Sequence, residues 1–384
     1  ISLSSRPPAA TGRSCATVAS TPTARFVRSL TTDLEKGPAA SGFRWPAEWE
    51  PHAATWLAWP HNVDTWPGRL EAVESSFARI VRILSEVEGV RIVVQGATGA
   101  ERVMRQLRTA GVSRDADVRC FEIPTDDAWI RDTGPVFLTR EGTNAAELAL
   151  VDFGFNAWGE KYPPWDRDNA LPERIAEVLG VQRFEAGFVL EAGSVEGNGA
   201  GAVLTTESCL LNPNRGPRTR AEIEAGLART LGATQVVWLA SGLAGDDTDG
   251  HVDDLCRFVA PDVVVYALCD DPQDPNATVL RENHRRLAAA RRADGGTFQL
   301  VALPSPQLRG ADSTLLPASY ANFYLANEVL LVPTFGLPED ARAAAILREV
   351  IPGRTLVPVP ARDLVQGLGA IHCLTQQEPR LAAE

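Results

Sequence analysis

No apolar run in this 384-residue chain approaches the roughly 20 residues that a membrane-spanning helix needs. The expectation is therefore a protein with no membrane partner. Positive charge is also short: 37 Lys and Arg stand against 49 Asp and Glu, a formal net charge of −12. Nucleic-acid-binding domains usually carry a basic patch or stripe, so nucleic acid is not expected as a partner, while a cationic ligand is mildly favoured. Lysine is nearly missing, Lys36 and Lys161 being the only two, which reads as coding bias toward arginine. Cysteine is sparse and unpaired in pattern. The six, at 15, 120, 209, 256, 269 and 373, include no C-x-x-C spacing, which excludes a zinc knuckle or thioredoxin-like motif. A chain this long has no need of a disulfide framework, so a reducing, cytoplasmic compartment is expected. With 45% apolar residues the remaining composition is that of an ordinary globular protein.

Residues 1–42 differ from the rest. They are rich in Ser, Thr, Ala and Pro and carry four arginines before their first acid, Asp33. That composition suits a disordered tail or a targeting-like extension, leaving 43–384 as the catalytic domain. From Trp45 onward one pattern recurs: a β-rich run, a turn, an amphipathic helix and a second β-rich run. The runs are 55–59 and 90–94, then 148–154 and 183–190, then 209–212 and 235–239. Two more follow, 263–269 with 298–303 and 328–333 with 355–360. Helices are expected near 69–87, 173–180, 218–232, 276–292 and 338–349. Pro338-Glu339-Asp340 suits a helix N-terminus, and Gly180 and Gly353 suit C-caps. The class is α/β. Five such units build either an open sheet or a closed ring, and the pattern alone favours the commoner open sheet.

Chemistry-bearing residues gather in the loops after strands, where α/β proteins place ligands. Trp129-x-x-Asp132 precedes Gly134-Pro135, Glu191 follows a strand, His251-Val252-Asp253 lies in an acidic run, and Cys373 sits beside glycines. Singly, each has a plain structural explanation: an Asp-capped turn, a loop ion pair, a buried thiol. His52, His61, His284 and His372 read as structural or surface residues, and Cys120, Cys209, Cys256 and Cys269 as core. Together, a Cys, a His, a Glu and two Asp are what hydrolysis of a guanidinium requires. The cation is planar with five N–H donors in a fork, which two carboxylates can each grip bidentately. A thiolate is a strong nucleophile whose pKa a nearby cation lowers. A His paired with a carboxylate can protonate departing ammonia and then activate water. A His/Asp/Cys metal site is the competing chemistry, but the set lacks a second His ligand, so no metal is expected.

The same segments resemble the agmatine deiminase family, within the Porphyromonas-type peptidyl-arginine deiminase group of guanidine-modifying enzymes. The resemblance covers about residues 43–380 and rests on WIRDTGP (129–135), DDTDGHVD (246–253) and IHCLTQQEP (371–379), in that order. Supporting stretches are 46–52, 56–61, 152–159, 211–215 and 333–336. It implies a five-bladed, pseudo-fivefold α/β propeller with a central active site, which displaces the open sheet. It implies Cys373 as nucleophile, His251 as general acid/base, Glu191 as the carboxylate orienting His251, Asp132 and Asp253 as the guanidinium grip, and Trp129 as an aromatic wall. The implied activity is hydrolysis of agmatine to N-carbamoylputrescine and ammonia through a thiouronium intermediate, in putrescine and polyamine biosynthesis, with no cofactor. The partner is then a small cationic guanidino compound, and a homo-oligomer is left open. The alternatives are a deiminase of peptidyl or C-terminal arginine, an amidinotransferase, and a catalytically silent guanidinium-binding member. Two departures stand out. Ala192 replaces the first Gly of the family's Glu-Gly-Gly, and Leu368 and Ala370 replace a Gly and an Asn before the nucleophile, so the nucleophile loop is expected to sit differently.

Overall fold

A computed structural model describes residues 37–142 and 145–382. Among these residues the strands form five separate sheets. Four of the sheets have three strands: Val136–Arg140, Glu147–Gly154 and Gln182–Val189; Val195–Gly197, Ala202–Thr206 and Gln235–Leu239; Cys256–Ala260, Val263–Leu268 and Gln299–Pro304; Tyr324–Leu325, Val329–Thr334 and Thr355–Pro360. The remaining sheet joins Gln376–Pro379 to His52–Ala58, Gly89–Val94 and Val118–Glu122, so the C-terminal strand completes the first blade. Each blade repeats one register: the innermost pair runs antiparallel and the next pair parallel, with a helix making the parallel crossover. The result is the five-bladed α/β propeller, and the open sheet favoured by pattern alone does not form.

Helix Leu70–Leu84 lies within the expected 69–87 and buries Val73, Phe77, Ile80, Val81 and Leu84, the i, i+4, i+7 spacing of one apolar face. Leu171–Leu179 carries Pro172 in its first turn and ends on Gly180 in left-handed conformation, the asymmetry that Pro and Gly impose. Arg220–Leu231 starts with a capping box between Thr219 and Glu222. Glu339–Val350 begins after Pro338, and the Asp340 carboxylate accepts the backbone N–H groups of Phe335 and Gly336. Its cap is Ile351, so Gly353 lies in the turn beyond and is not the C-cap. Ala277–Ala289 supplies the fourth crossover.

Two sequence expectations shift. The third copy opens on Ala202–Thr206; residues 209–212 belong to the helical turn Glu207–Leu210 and the loop after it. There Thr206 accepts from the Cys209 N–H, and a hydroxyl cap of this kind overrides the β-propensity of a Cys-Leu-Leu run. The 1–42 extension also ends earlier than expected: Gly37–Ala40 is a helical turn with Gly37 and Pro38 buried, packed on Arg220–Leu231. The rest of that segment, residues 1–36, lies outside the described residues. No helix among the described residues is long and apolar enough to cross a membrane.

The apolar core is not confined to single blades. One cluster joins Phe77 and Ile92 of the first blade to Leu331 and Phe335 of the fifth, and another joins Val151 of the second to Val203 of the third. Packing across blade boundaries closes the ring around a common centre. The segment leading into the innermost strand of each blade points there: Ile130–Thr133, Ala192–Ser194, Val252–Asp254, the stretch around Asn322, and His372–Leu374. Four of these turns touch in sequence around the axis.

Candidate active site

Because equivalent turns converge, five blades deliver five sets of side chains to one point. Asp132, Glu191, His251 with Asp253, Asn322 and Cys373 each come from the turn before an innermost strand. All are buried. They lie at and beneath the floor of a cleft of about 900 Å³, whose walls include Trp129, Trp158, Leu368 and Gly369.

Cys373 lies under a polar lid of its own. Its sulfur accepts from Asn322 Nδ2 at 3.1 Å and lies 3.7 Å from Asp253 Oδ2, and the Ala370 N–H also faces it. Burial, then Asp253, Asp254 and Asp132, hold the thiol well above its ordinary pKa. His251 places Nδ1 3.6 Å from Asp132 and Nε2 3.8 Å from Glu191. Burial opposes its charge, but Asp132, Cys209 and Glu191 outweigh that and raise its pKa well above the usual imidazole value. Glu191 is lowered: burial opposes ionisation, yet His251 and the Arg215 guanidinium, whose Nε donates at 3.1 Å, prevail.

The two aspartates are held differently. Burial pushes Asp132 up to about 6, helped by Asp253 and Glu191 and resisted by His251 and the Trp158 N–H. Asp253 Oδ2 is fixed by His372 Nδ1 at 2.7 Å. Burial opposes its charge, but His372, His251 and Arg257 bring its pKa down. Its Oδ1 is buried with no hydrogen-bond partner among the described residues. An unmet buried carboxylate oxygen is costly unless a donor arrives.

Every residue expected from sequence comes to this centre, and Trp129 forms a wall, its ring tilted against Trp66 at 5.2 Å between ring centres. Gly367 and Gly369 lie close against this pair, where a Cβ would collide with the Trp66 indole at Gly367 and with the Trp129 indole at Gly369. Gly193 is equally constrained, since a Cβ there would meet Asp132 Oδ1 and His251 Nδ1. Ala192 next to it is accommodated in the turn, so that departure leaves the close approach intact. Leu368 does take left-handed backbone, φ +71°, and Cys373 still reaches Asp253 and Asn322.

His372 corrects the sequence reading: it is no bystander but bridges Asp253 and Glu48, with Nε2 2.9 Å from Glu48 Oε2. Glu48 is in turn paired with Arg257 at 2.7 Å and Arg131 at 3.3 Å. Asn322 was not singled out by sequence. The signal available was positional, because it precedes the innermost strand of the fifth blade as Cys373 precedes that of the first. Among the described residues one group of metal-type donors gathers, Glu191, Cys209 and His251, with ligand atoms within 4.8 Å of one another. The Arg215 guanidinium already occupies Glu191, and its charge opposes a cation there.

A closed ring of five blades with a thiol, an imidazole and paired carboxylates at its centre defines the guanidine-modifying class of α/β propeller. The Porphyromonas-type peptidyl-arginine deiminase family matches residues 44–379, and this chain belongs to that family. It is similar to the agmatine deiminase of Ectopseudomonas mendocina, 39% identical over 373 residues, covering 91% of this chain and 98% of that one. The agmatine deiminase of Pseudomonas aeruginosa strain LESB58 is 38% identical, covering 89% and 97%. Among solved structures, the agmatine deiminase of Enterococcus faecalis superposes with a TM-score of 0.83 at 32% identity, covering 90% of this chain and 98% of its own.

Proposed function

We propose that this chain is an agmatine deiminase, a hydrolase of the C–N bonds of linear amidines that converts agmatine to N-carbamoylputrescine and ammonia. The observation carrying this reading is the buried Asp253 carboxylate, whose Oδ2 lies 3.7 Å from the Cys373 sulfur and whose Oδ1 has no hydrogen-bond partner among the described residues, in one cluster with Asp132. In this reading Asp132 and Asp253 hold the guanidinium. Its positive charge offsets the carboxylates that suppress the thiolate, so substrate entry itself favours ionisation of Cys373. The sulfur adds to the guanidinium carbon. His251, charged at that stage, gives its proton to the departing nitrogen, and ammonia leaves a thiouronium on Cys373. His251, now neutral, takes a proton from water as the resulting hydroxide adds to the same carbon; the C–S bond then breaks, the new hydroxyl gives its proton to the departing sulfur, and the ureido product and the Cys373 thiol result. Glu191 holds the imidazolium before the first of these steps and again after the second. These groups suffice without a cofactor.

Substrate choice follows from the cleft mouth. Asp64, Asp126 and Asp247 line it together with Lys161 and Arg167. Lys161 Nζ is spent on Asp249 at 3.0 Å and on the Asp247 carbonyl, and Arg167 faces Asp126. The free balance is acidic, which welcomes the terminal ammonium of agmatine and repels the carboxylate of free arginine. We infer a reducing compartment, the cytoplasm, a reading supported by the free thiols of Cys209, Cys256 and Cys373, and putrescine and polyamine biosynthesis as the use of the product. Ammonia release from agmatine, arginine and an arginine-ended peptide, measured side by side at low salt, tests the assignment. Agmatine is expected to lead in kcat/KM by at least about tenfold, or ~1.4 kcal/mol. Equal rates or a preference for arginine would refute it.

A further inference from the structure

Four consecutive residues hold left-handed backbone: Ala157 (φ +50°), Trp158 (+56°), Gly159 (+93°) and Glu160 (+64°). Only Gly adopts this region at no steric cost, so three of the four are strained. The surroundings hold them there. Asn156 accepts the Gly159 N–H at 3.0 Å and donates to the Asn214 carbonyl at 2.7 Å. Gly159 lies so close to the Asn214 side chain that no Cβ fits between them. Asn214 is itself fixed to Asp249 at 2.9 Å. Strain this concentrated persists only where its neighbours over-determine it, and it gathers at functional sites.

What the turn delivers is the Trp158 indole. It lines the cleft, and its Nε1–H donates to Asp132 Oδ2 at 3.0 Å. The other oxygen of that carboxylate accepts the Gly193 N–H at 3.2 Å. Each oxygen thus spends one lone pair on the protein and keeps another for a ligand. We propose that Trp158 is the positioning residue for Asp132, its indole N–H fixing the orientation of the carboxylate toward the guanidinium. This rests on the reading of Asp132 as part of the cation grip. The rest of the Trp158 environment is apolar and edge-on, with Phe155 at 5.2 Å and Tyr162 at 5.8 Å between ring centres, contacts that a phenyl ring can retain. The hydrogen bond to Asp132 is what a phenyl ring cannot supply.

The sign of the effect is fixed. Asp132 is pushed up to about 6, and the Trp158 bond acts against that rise. Without it the carboxylate protonates at higher pH, and the cation loses its partner sooner as pH falls. The test is Trp158→Phe, read two ways: kcat/KM for agmatine from pH 5 to 9, and calorimetric binding of agmatine and n-butylguanidine to the Cys373→Ser protein over the same range. The acid limb of both profiles is expected to move up by about one pH unit, with binding on the plateau weakened by about three- to tenfold. Gly159→Ala, which displaces the turn without altering the indole, is expected to move the limb the same way. An unmoved acid limb in Trp158→Phe would overturn the proposal, as would a loss of affinity equal at every pH, which marks an apolar wall alone. Wild-type protein that binds butylguanidine with the expected limb but does not turn over agmatine would refute the agmatine assignment and leave the role of Trp158 standing.

Discussion

At the sulfur of Cys373, the nucleophile proposed above, the protein works against ionisation. Burial and three carboxylates keep the thiol protonated in the empty site, which protects it from oxidation until a cation neutralises the floor. Cys373→Ala is expected to reduce turnover to background, while Cys256→Ala, whose thiol is buried in a strand away from the cleft, keeps it. Full activity in Cys373→Ala would sink the mechanism. Asp253→Asn removes a charge-assisted grip worth roughly 1.5–3 kcal/mol, so kcat/KM should fall by about ten- to a hundredfold, with kcat falling too because the electrophile is misplaced. Near-wild-type kcat/KM would contradict that role. Leu368 adds a stability test at the same scale. A side chain in left-handed backbone costs roughly 1–2 kcal/mol that glycine does not. Leu368→Ala loses packing and keeps the strain, whereas Leu368→Gly loses both. The glycine variant should therefore be more stable than the alanine variant by about 1 kcal/mol in denaturant unfolding, and the reverse order would show that this backbone is not strained.

Among elements, what sequence reveals depends on whether the signal is periodic. The five crossover helices were legible because one apolar face at helical spacing has no other use, and four of the five leading strands were legible as β-branched runs. The third failed at residues 209–212, where the Thr206 hydroxyl cap turned an apolar run into a helical turn. The site followed the same division. His251, Asp253 and Cys373 lie in short motifs whose residue types already imply chemistry. Asn322 lies in no such motif; it matters because the fifth blade repeats the turn that the other blades use. His372 was read with the other histidines as structural or surface, and only the fold brings Glu48 and Asp253 to its two nitrogens. Closure of the ring was likewise invisible to periodicity, since the strand that completes the first blade is contributed from the far end of the chain. The short element Gly37–Ala40 carries a prediction of its own. Its buried Gly37 and Pro38 rest on Arg220–Leu231, worth about 1–2 kcal/mol of apolar burial. A chain beginning at Phe43 should melt a few degrees below one beginning at Gly37. Equal melting temperatures would show that this turn contributes nothing.

For the molecule as a whole, ring closure and catalysis are one event. Gln376–Pro379 pairs antiparallel with His52–Ala58, and Cys373 lies just ahead of that strand. A second tie is buried beside it, the Trp56 Nε1–H donating to Glu378 Oε2 at 2.7 Å. A propeller leaves only short, protected strand edges. Losing the last strand would free the edge of His52–Ala58 and, through the two-residue link, release Cys373 from Asn322 and Asp253. Stability and activity should therefore fail together when the closure is weakened. Glu378→Ala leaves the indole N–H of Trp56 buried and unpaired, at a cost of about 1–3 kcal/mol. Because the first and fifth blades share one apolar cluster, the loss should not stay local. Unfolding is expected to remain a single transition at lower denaturant, with activity and near-ultraviolet circular dichroism lost in parallel along it. If activity disappeared well before the spectroscopic transition, the closing strand would open alone, and the coupling of the ring to its nucleophile would be refuted.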